Sequence, residues 1–144
     1  MKKSMIGMFS LFVLIYSNIL FADNSIISPE LERSVTAHIA ATSKDSESIE
    51  ALMRTMHTES PISMMIKTQM EQIFPVFDIN VSLVEFSFVG MSGEYAIAQF
   101  KQKLEKVSGP AQFKSHINEQ IVVFKQDLGQ WKIWQLTMLD MDFL

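Results

Sequence analysis

Two residues of this chain have the types and positions of an acid/base pair. His57 continues the apolar stripe of a predicted helix, eight residues after Ile49. Glu119 shares the period-two register of Ile117 and Ile121, where a carboxylate is costly unless it is paired. A buried acid near a histidine can exchange protons with a substrate. His57 and Glu119 are therefore the catalytic candidates. The structural alternative is that the histidine closes the helix and the acid sits at a bulge or pairs with a lysine.

Other chemistries have less support from the residue types. His38, His57 and His116 lie on separate predicted elements and lack the spacing of metal ligands, so no metal or other cofactor is predicted. The 11 methionines favour core packing over copper binding, because many of them lie at packing spacing on predicted helices. Tyr95 is the only tyrosine after the first 22 residues, whereas an isomerase-type oxyanion site needs such donors.

Helices come first along the chain. Ser28-Pro29-Glu30 has the capping hydroxyl, proline and acid of a helix start. A second helix is predicted to begin near Asp45 or Ser46, and a third to begin at Pro61 and end at Pro75. Each has apolar residues at helical spacing. The three stripes are Leu31, Val35, His38, Ile39 and Thr42; Ile49, Leu52, Met53 and Met56; and Ile62, Met65, Ile66, Met70 and Ile73.

Four strands are predicted after the helices, because the apolar period changes to two. They are Asp78 to about Val89, Tyr95 to Val107, Phe113 to Lys125, and Gln130 to Leu139. The expected inward residues of the third are Phe113, Ile117, Ile121 and Val123, with Lys114, His116, Asn118 and Gln120 opposite, and its apolar side then widens to include Val122 and Phe124. In the last strand, Trp131 and Ile133 are expected on one face and Trp134, Leu136 and Met138 on the other. Helices followed by antiparallel strands predict an α+β fold.

The composition indicates one exported domain. Residues 1–22 have the basic start, apolar run and small final residue of a signal peptide, which leaves 23–144 as the domain. We expect a periplasmic or secreted location after cleavage near Ala22, with membrane attachment only if the leader is kept. Cleavage lowers Lys plus Arg from 12 to 10 against 16 acidic residues, a net charge of −6, which argues against nucleic acid. The absence of cysteine excludes disulfides and thiol chemistry.

Three stretches resemble the NTF2-like (nuclear transport factor 2-like, SnoaL-like) superfamily. They are Asp45 to Pro61, Gly93 to Ala96, and Gly129 to Ile133, and the resemblance covers roughly Pro29 to Leu139. It implies an α+β cone, in which N-terminal helices pack on a strongly curved antiparallel sheet around a pocket. One departure is that His57 to Ser63 is too short for the β-hairpin that many members place between the second and third helices.

The superfamily includes enzymes, transport adaptors and oligomerisation modules, so the resemblance does not give an activity. We expect a non-catalytic domain that binds a small apolar ligand in the cone or interacts with a protein. The alternatives are a hydratase, dehydratase or isomerase with an acid/base pair in the cone, and a structural dimerisation module. The predicted pocket residues are Met53, Met56, His57, Phe100, Glu119 and Trp131. A homodimer is predicted through the sheet face with Trp134, Leu136 and Met138.

Overall fold

The computed structural model describes residues 24–144, and the predicted leader lies outside them. Three helices precede a four-stranded sheet in which each strand pairs antiparallel with the next along the chain. The elements are α1 (Asn24–Thr42), α2 (Ile49–Thr55), α3 (Ser63–Ile73), β1 (Asp78–Ser92), β2 (Tyr95–Ser108), β3 (His116–Asp127) and β4 (Gln130–Phe143). The sheet is curved but not closed, and the helices pack on its concave side. This arrangement confirms the predicted α+β cone.

The core lies between α1, the end of α2 and the middle of the sheet. Its most buried large side chains are Leu31 and Val35 from α1, Val122 and Phe124 from β3, and Ile133 from β4. Burying one such side chain stabilises the fold by about 1.5–3 kcal/mol. Ala96 and Ala98 are fully buried on β2, and their small side chains leave room for α1 to approach the sheet.

The α1 and α2 stripes are buried or half-buried as predicted, whereas Met65 of the α3 stripe is 54% exposed. All three helix starts differ from the prediction, and α3 begins at Ser63 rather than at Pro61. Helix α1 begins at Asn24, so Pro29 lies inside it rather than at its start. Helix α2 begins at Ile49, where the side chain of Ser48 accepts a hydrogen bond from the backbone N–H of Ala51 at 3.2 Å. This cap satisfies a donor that the helix start would otherwise leave unpaired. It places the start of α2 three or four residues later than the sequence predicted.

Strand β3 presents the opposite face from the one predicted. His116, Asn118, Val122 and Phe124 are buried on the concave side, whereas Glu119 and its register neighbours point to the convex side. The expected inward register was therefore wrong for Ile117, Ile121 and Val123, whereas Phe113 lines the cavity and Val122 and Phe124 are buried as expected. A period of two separates the faces of a strand but does not say which face is inside. Here the concave face carries polar side chains because it encloses a cavity, which is described below.

Strand β4 changes face along its length because it contains irregularities. Its pairing with β3 shifts between Ile133 and Gln135, which leaves Trp134 as an extra residue at a β-bulge. An extra residue reverses the alternation beyond it. Ile133 therefore shares the concave side with Leu136, which pairs with the buried Val122. The prediction that Ile133 and Leu136 lie on opposite faces was wrong for this reason.

The segment between α2 and α3 lies along the edge of β4. Met56 forms a parallel bridge with Ile133, and the backbone N–H of His57 donates to the carbonyl oxygen of Ile133 at 2.8 Å. The hydroxyl of Ser60 donates to the carbonyl oxygen of Trp134, also at 2.8 Å. These bonds occupy backbone groups of an edge strand that would otherwise be open to another chain.

Candidate functional site: the cone cavity

A cavity of about 370 Å³ lies between α3, the C-terminal half of α1 and the concave face of the sheet. Its size falls within the range of small-molecule sites. Most of its lining is apolar, with a set of uncharged or imidazole groups among the apolar side chains. The apolar residues are Leu52, Ile66, Met70, Ile73, Phe74, Ile79, Val81, Phe100, Leu104, Phe113, Leu136 and Met138, and the polar ones are His38, Thr42, Gln69, Gln102, His116, Asn118 and Gln120.

No Asp, Glu, Lys, Arg or Tyr of residues 24–144 lines this cavity, so histidine is its only readily titratable residue type. His38 is buried on α1, and its Nδ1 lies 2.8 Å from the hydroxyl oxygen of Thr55 on α2. Burial lowers the pKa of His38 from 6.5 to about 4, because the charged ring would lose its hydration. The His38 ring is therefore neutral at physiological pH.

The second histidine, His116, begins β3 beneath the turn that joins β2 to β3. Its Nδ1 donates to the carbonyl oxygen of Lys114 at 2.8 Å, and its ring packs against Phe113 and Phe143. Phe113 in turn packs on Phe77, just after α3. These aromatic contacts build the end wall of the cavity.

The polar residues on this wall could have been found from the sequence. Following the register of the fully buried Val122 and Phe124 by steps of two reaches Gln120, Asn118 and His116. Sequence reasoning placed these three on the wet face because Ile117, Ile121 and Val123 are more apolar.

Only Phe100 of the six predicted pocket residues lines the cone cavity. Met56 is 3% exposed and belongs to the core, and Met53 is half-buried against that core. Neither lines the cavity, which Leu52 of α2 reaches instead. The predicted apolar stripe of α2 faces the interior, but it is wider than the cavity. Some of its residues therefore pack in the core instead of lining the cavity.

Glu119 and Trp131 lie outside the cone cavity. Glu119 accepts a hydrogen bond from the side-chain amide of Gln99 on the convex face, so its expected place in the cone was wrong. Trp131 packs against the core from an open surface groove of about 610 Å³ between α1, α2 and the turn before β4. Arg33 and Lys132 line the same groove.

His57 is buried at the other end of the sheet from Glu119. Its Nδ1 accepts the backbone N–H of Glu59 at 3.0 Å, and its Nε2 lies 3.2 Å from the carbonyl oxygen of Gln126. Gln126 is seven residues after Glu119 on β3, a separation of about 23 Å in an extended strand. The structure therefore does not bring His57 and Glu119 together as an acid/base pair.

The three residues predicted to form the dimer interface do not share one face of the sheet. Leu136 and Met138 line the cone cavity, so their expected place on the outer sheet face was wrong. Trp134 remains on the outer side, where its ring meets His57 at 5.1 Å and Tyr95 at 6.2 Å between centroids. The ammonium of Lys125 lies 4.5 Å from the centre of the Trp134 ring, a favourable cation–π contact.

The described residues contain neither a candidate metal site nor a candidate membrane-spanning helix. In residues 24–144, no group of three His, Cys, Asp or Glu side chains is placed to hold a metal ion. Within the same range, no helix combines the length and the apolar character needed to cross a bilayer.

Comparison with known proteins places the fold. Residues 36–144 match the family described as "Anti-sigma-I factor RsgI9, C-terminal domain". A search of curated protein sequences gives no match.

Solved structures share the architecture at low sequence identity. A protein of Novosphingobium aromaticivorans DSM 12444, provisionally described as a scytalone dehydratase, superposes with a TM-score of 0.66 at 13% identity, covering 84% of this chain and 89% of its own. One provisionally described as an aromatic ring hydroxylase, from the same species, gives 0.64 at 16% identity, with coverages of 81% and 88%. An NTF2-like protein of unknown function from Pseudomonas putida KT2440 gives 0.60 at 12% identity, with coverages of 79% and 86%. These likenesses confirm the NTF2-like fold and, at such identities, nothing finer.

Proposed function

The chain belongs to the family of the anti-sigma-I factor RsgI9 C-terminal domain, and from this premise we propose that it binds a small, uncharged and largely apolar molecule in its cone cavity. The family name attaches such a domain to an anti-sigma factor, which is a regulatory protein. A regulatory protein can act by recognising a molecule without converting it. The proposal is therefore a non-catalytic binding domain.

One observation carries this proposal: the cavity of about 370 Å³ is mostly apolar, and no Asp, Glu, Lys or Arg side chain of residues 24–144 lines it. A charged ligand would lose its hydration there without gaining an opposite charge, at a cost of several kcal/mol. An apolar ligand would gain about 25 cal/mol for each Å² that it buries. The amide and imidazole groups supply a small number of hydrogen bonds that can orient it.

The two residues predicted to act in the enzymatic alternative do not come together in the structure. His57 and Glu119 lie on different parts of the sheet, and no carboxylate of the described residues lines the cavity. The neighbours described as a dehydratase or a hydroxylase share the fold at 13–16% identity, which does not transfer an activity.

Fluorescence of the neutral dye N-phenyl-1-naphthylamine tests the proposal, because this dye becomes bright in an apolar cavity. We expect saturable binding with one dye per chain. The double variant Ile66→Trp/Met70→Trp adds two indole rings to residues that line the cavity from α3, and should weaken dye binding at least about tenfold by occupying that space. Circular dichroism would verify that both variants are folded.

The matched control is Met64→Trp/Met65→Trp on the same helix. These side chains are 69% and 54% exposed and do not line the cavity. Dye binding should be unchanged in this control. Equal loss in both variants, or no loss in the cavity variant, would contradict the proposal.

We further propose that the domain is exported and pairs with a second copy through the convex face. The form of residues 1–22 supports export. On the convex face, Ile97 is 37% exposed and is the cross-strand neighbour of Val123. Lysines on β2 and acids on β3 and β4 share that face, so two copies can bring opposite charges together.

A further inference from the structure

The hydrogen bonds around His38 determine which of its ring nitrogens carries a hydrogen. The hydroxyl of Thr55 has one hydrogen, and its oxygen lies 2.6 Å from the carbonyl oxygen of Leu52, which can only accept. The Thr55 hydroxyl therefore donates to Leu52 and can only accept from His38, whose Nδ1 is 2.8 Å away. The hydrogen of the His38 ring lies on Nδ1.

The other nitrogen of this ring, Nε2, is then a hydrogen-bond acceptor. A neutral imidazole has one N–H, and the buried ring of His38 is neutral because its pKa is lowered to about 4. No group of the described residues hydrogen-bonds to Nε2. No fully buried side-chain nitrogen or oxygen in residues 24–144 lacks a partner, so Nε2 must be accessible from the cavity that His38 lines.

His116 repeats the arrangement on the opposite wall. Its Nδ1 is 2.8 Å from the carbonyl oxygen of Lys114, which accepts only, so in the neutral ring the hydrogen again lies on Nδ1. Its Nε2 is left without a partner from the described residues and belongs to a residue that lines the cavity. Two walls of a mostly apolar cavity thus each carry a histidine whose Nδ1 is held by an oxygen of the protein.

We propose that the cone cavity selects apolar molecules that carry a hydroxyl group, such as a phenol or a cyclic alcohol, because His38 Nε2 accepts that hydroxyl's hydrogen. This inference rests on the proposed function and names the chemical class of its ligand. A ligand with only acceptor atoms would leave the Nε2 lone pair unpaired and facing another lone pair. Leaving such a group unsatisfied costs more than a hydrogen bond gains.

A matched pair of probes, 2-naphthol and 2-methoxynaphthalene, tests the proposal by titration calorimetry. The two share one ring system and differ in whether the oxygen can donate. We expect 2-naphthol to bind about five- to tenfold more tightly to the wild-type protein. Equal affinities would overturn the selection of hydroxyl groups and leave the proposed function standing. Failure of both probes to bind would count against the proposed function itself.

Two threonine variants assign the selectivity to the His38 tautomer. Thr55→Val removes the acceptor of Nδ1–H, so the ring can move its hydrogen to Nε2, and we expect the preference for 2-naphthol to fall below about twofold. Thr58→Val is the control, since its hydroxyl donates to Asp127 at 3.1 Å, lies outside the cavity lining and does not touch His38. The control should retain the full preference.

Nitrogen chemical shifts of histidine labelled with ¹⁵N give an independent readout, because they distinguish a ring nitrogen that carries hydrogen from one that does not. We expect the His38 hydrogen on Nδ1 in the wild type and in Thr58→Val, and a change in Thr55→Val. A wild-type ring with its hydrogen on Nε2 would overturn the proposal directly. Full preference in a Thr55→Val protein whose tautomer has changed would overturn it as well.

Discussion

The buried His38 should make the free energy of unfolding depend on pH in a predictable direction. Its folded pKa of about 4 is lower than the unfolded value of 6.5, so the unfolded chain binds the proton more readily. Stability is therefore complete above pH 6.5 and is lost as the pH falls through that value towards 4. Among residues 24–144, the only other readily titratable residue that lines the same cavity is His116.

The size of this loss follows from the pKa difference. One pKa unit corresponds to about 1.4 kcal/mol, so the full difference between 6.5 and about 4 is worth about 3 kcal/mol. At pH 5 most of it has developed, and the linkage relation gives about 2 kcal/mol. That is a large fraction of the stability of a typical domain.

The effect is measured by unfolding the wild type and His38→Gln in urea, with the fluorescence of Trp131 and Trp134 as the readout. Glutamine does not titrate and keeps an amide N–H that can donate to Thr55. The difference in unfolding free energy between the two proteins should shrink by about 2 kcal/mol from pH 7.5 to pH 5. Contributions of the other titratable groups are present in both proteins and cancel. A difference that stays constant within about 0.5 kcal/mol would refute the reasoning.

Three further predictions follow from other parts of the structure. Gly109→Ala should lower the free energy of unfolding by about 1–3 kcal/mol, because Gly109 has φ +127° and an added Cβ would lie 2.8 Å from the Phe77 ring. Gly93→Asn is the control: Gly93 has φ +59° and open space around it, so this variant should lose less than about 1 kcal/mol. Thermal unfolding measures both. Glu119→Gln should change the unfolding free energy by less than about 0.5 kcal/mol, since the residue is paired with Gln99 on the convex face. A loss above about 2 kcal/mol would show a structural role that its contacts do not explain. Native mass spectrometry should show a dimer that Ile97→Glu converts to a monomer, and a monomeric wild type would refute the convex-face pairing.

The order of the elements was readable from the sequence alone because it depends on local physics. Apolar residues at helical spacing, such as Leu31, Val35 and Ile39, predicted the buried side of α1. The change to a period of two after Asp78, and the turn residues near Gly109 and Gly129, predicted four antiparallel strands, which the structure pairs in chain order. These features, with the resemblance of three short stretches, were sufficient for the fold.

The cavity residues needed the tertiary structure, because they depend on which side of each strand faces the helices. Hydrophobicity placed Ile117 inside and Asn118 outside, yet the concave face of β3 is the more polar one because it lines a cavity. The bulge at Trp134 adds one residue to β4 and turns Leu136 towards the cavity. Alternation along a strand is a local property, whereas the choice of face and the extra residue are set by packing between distant segments.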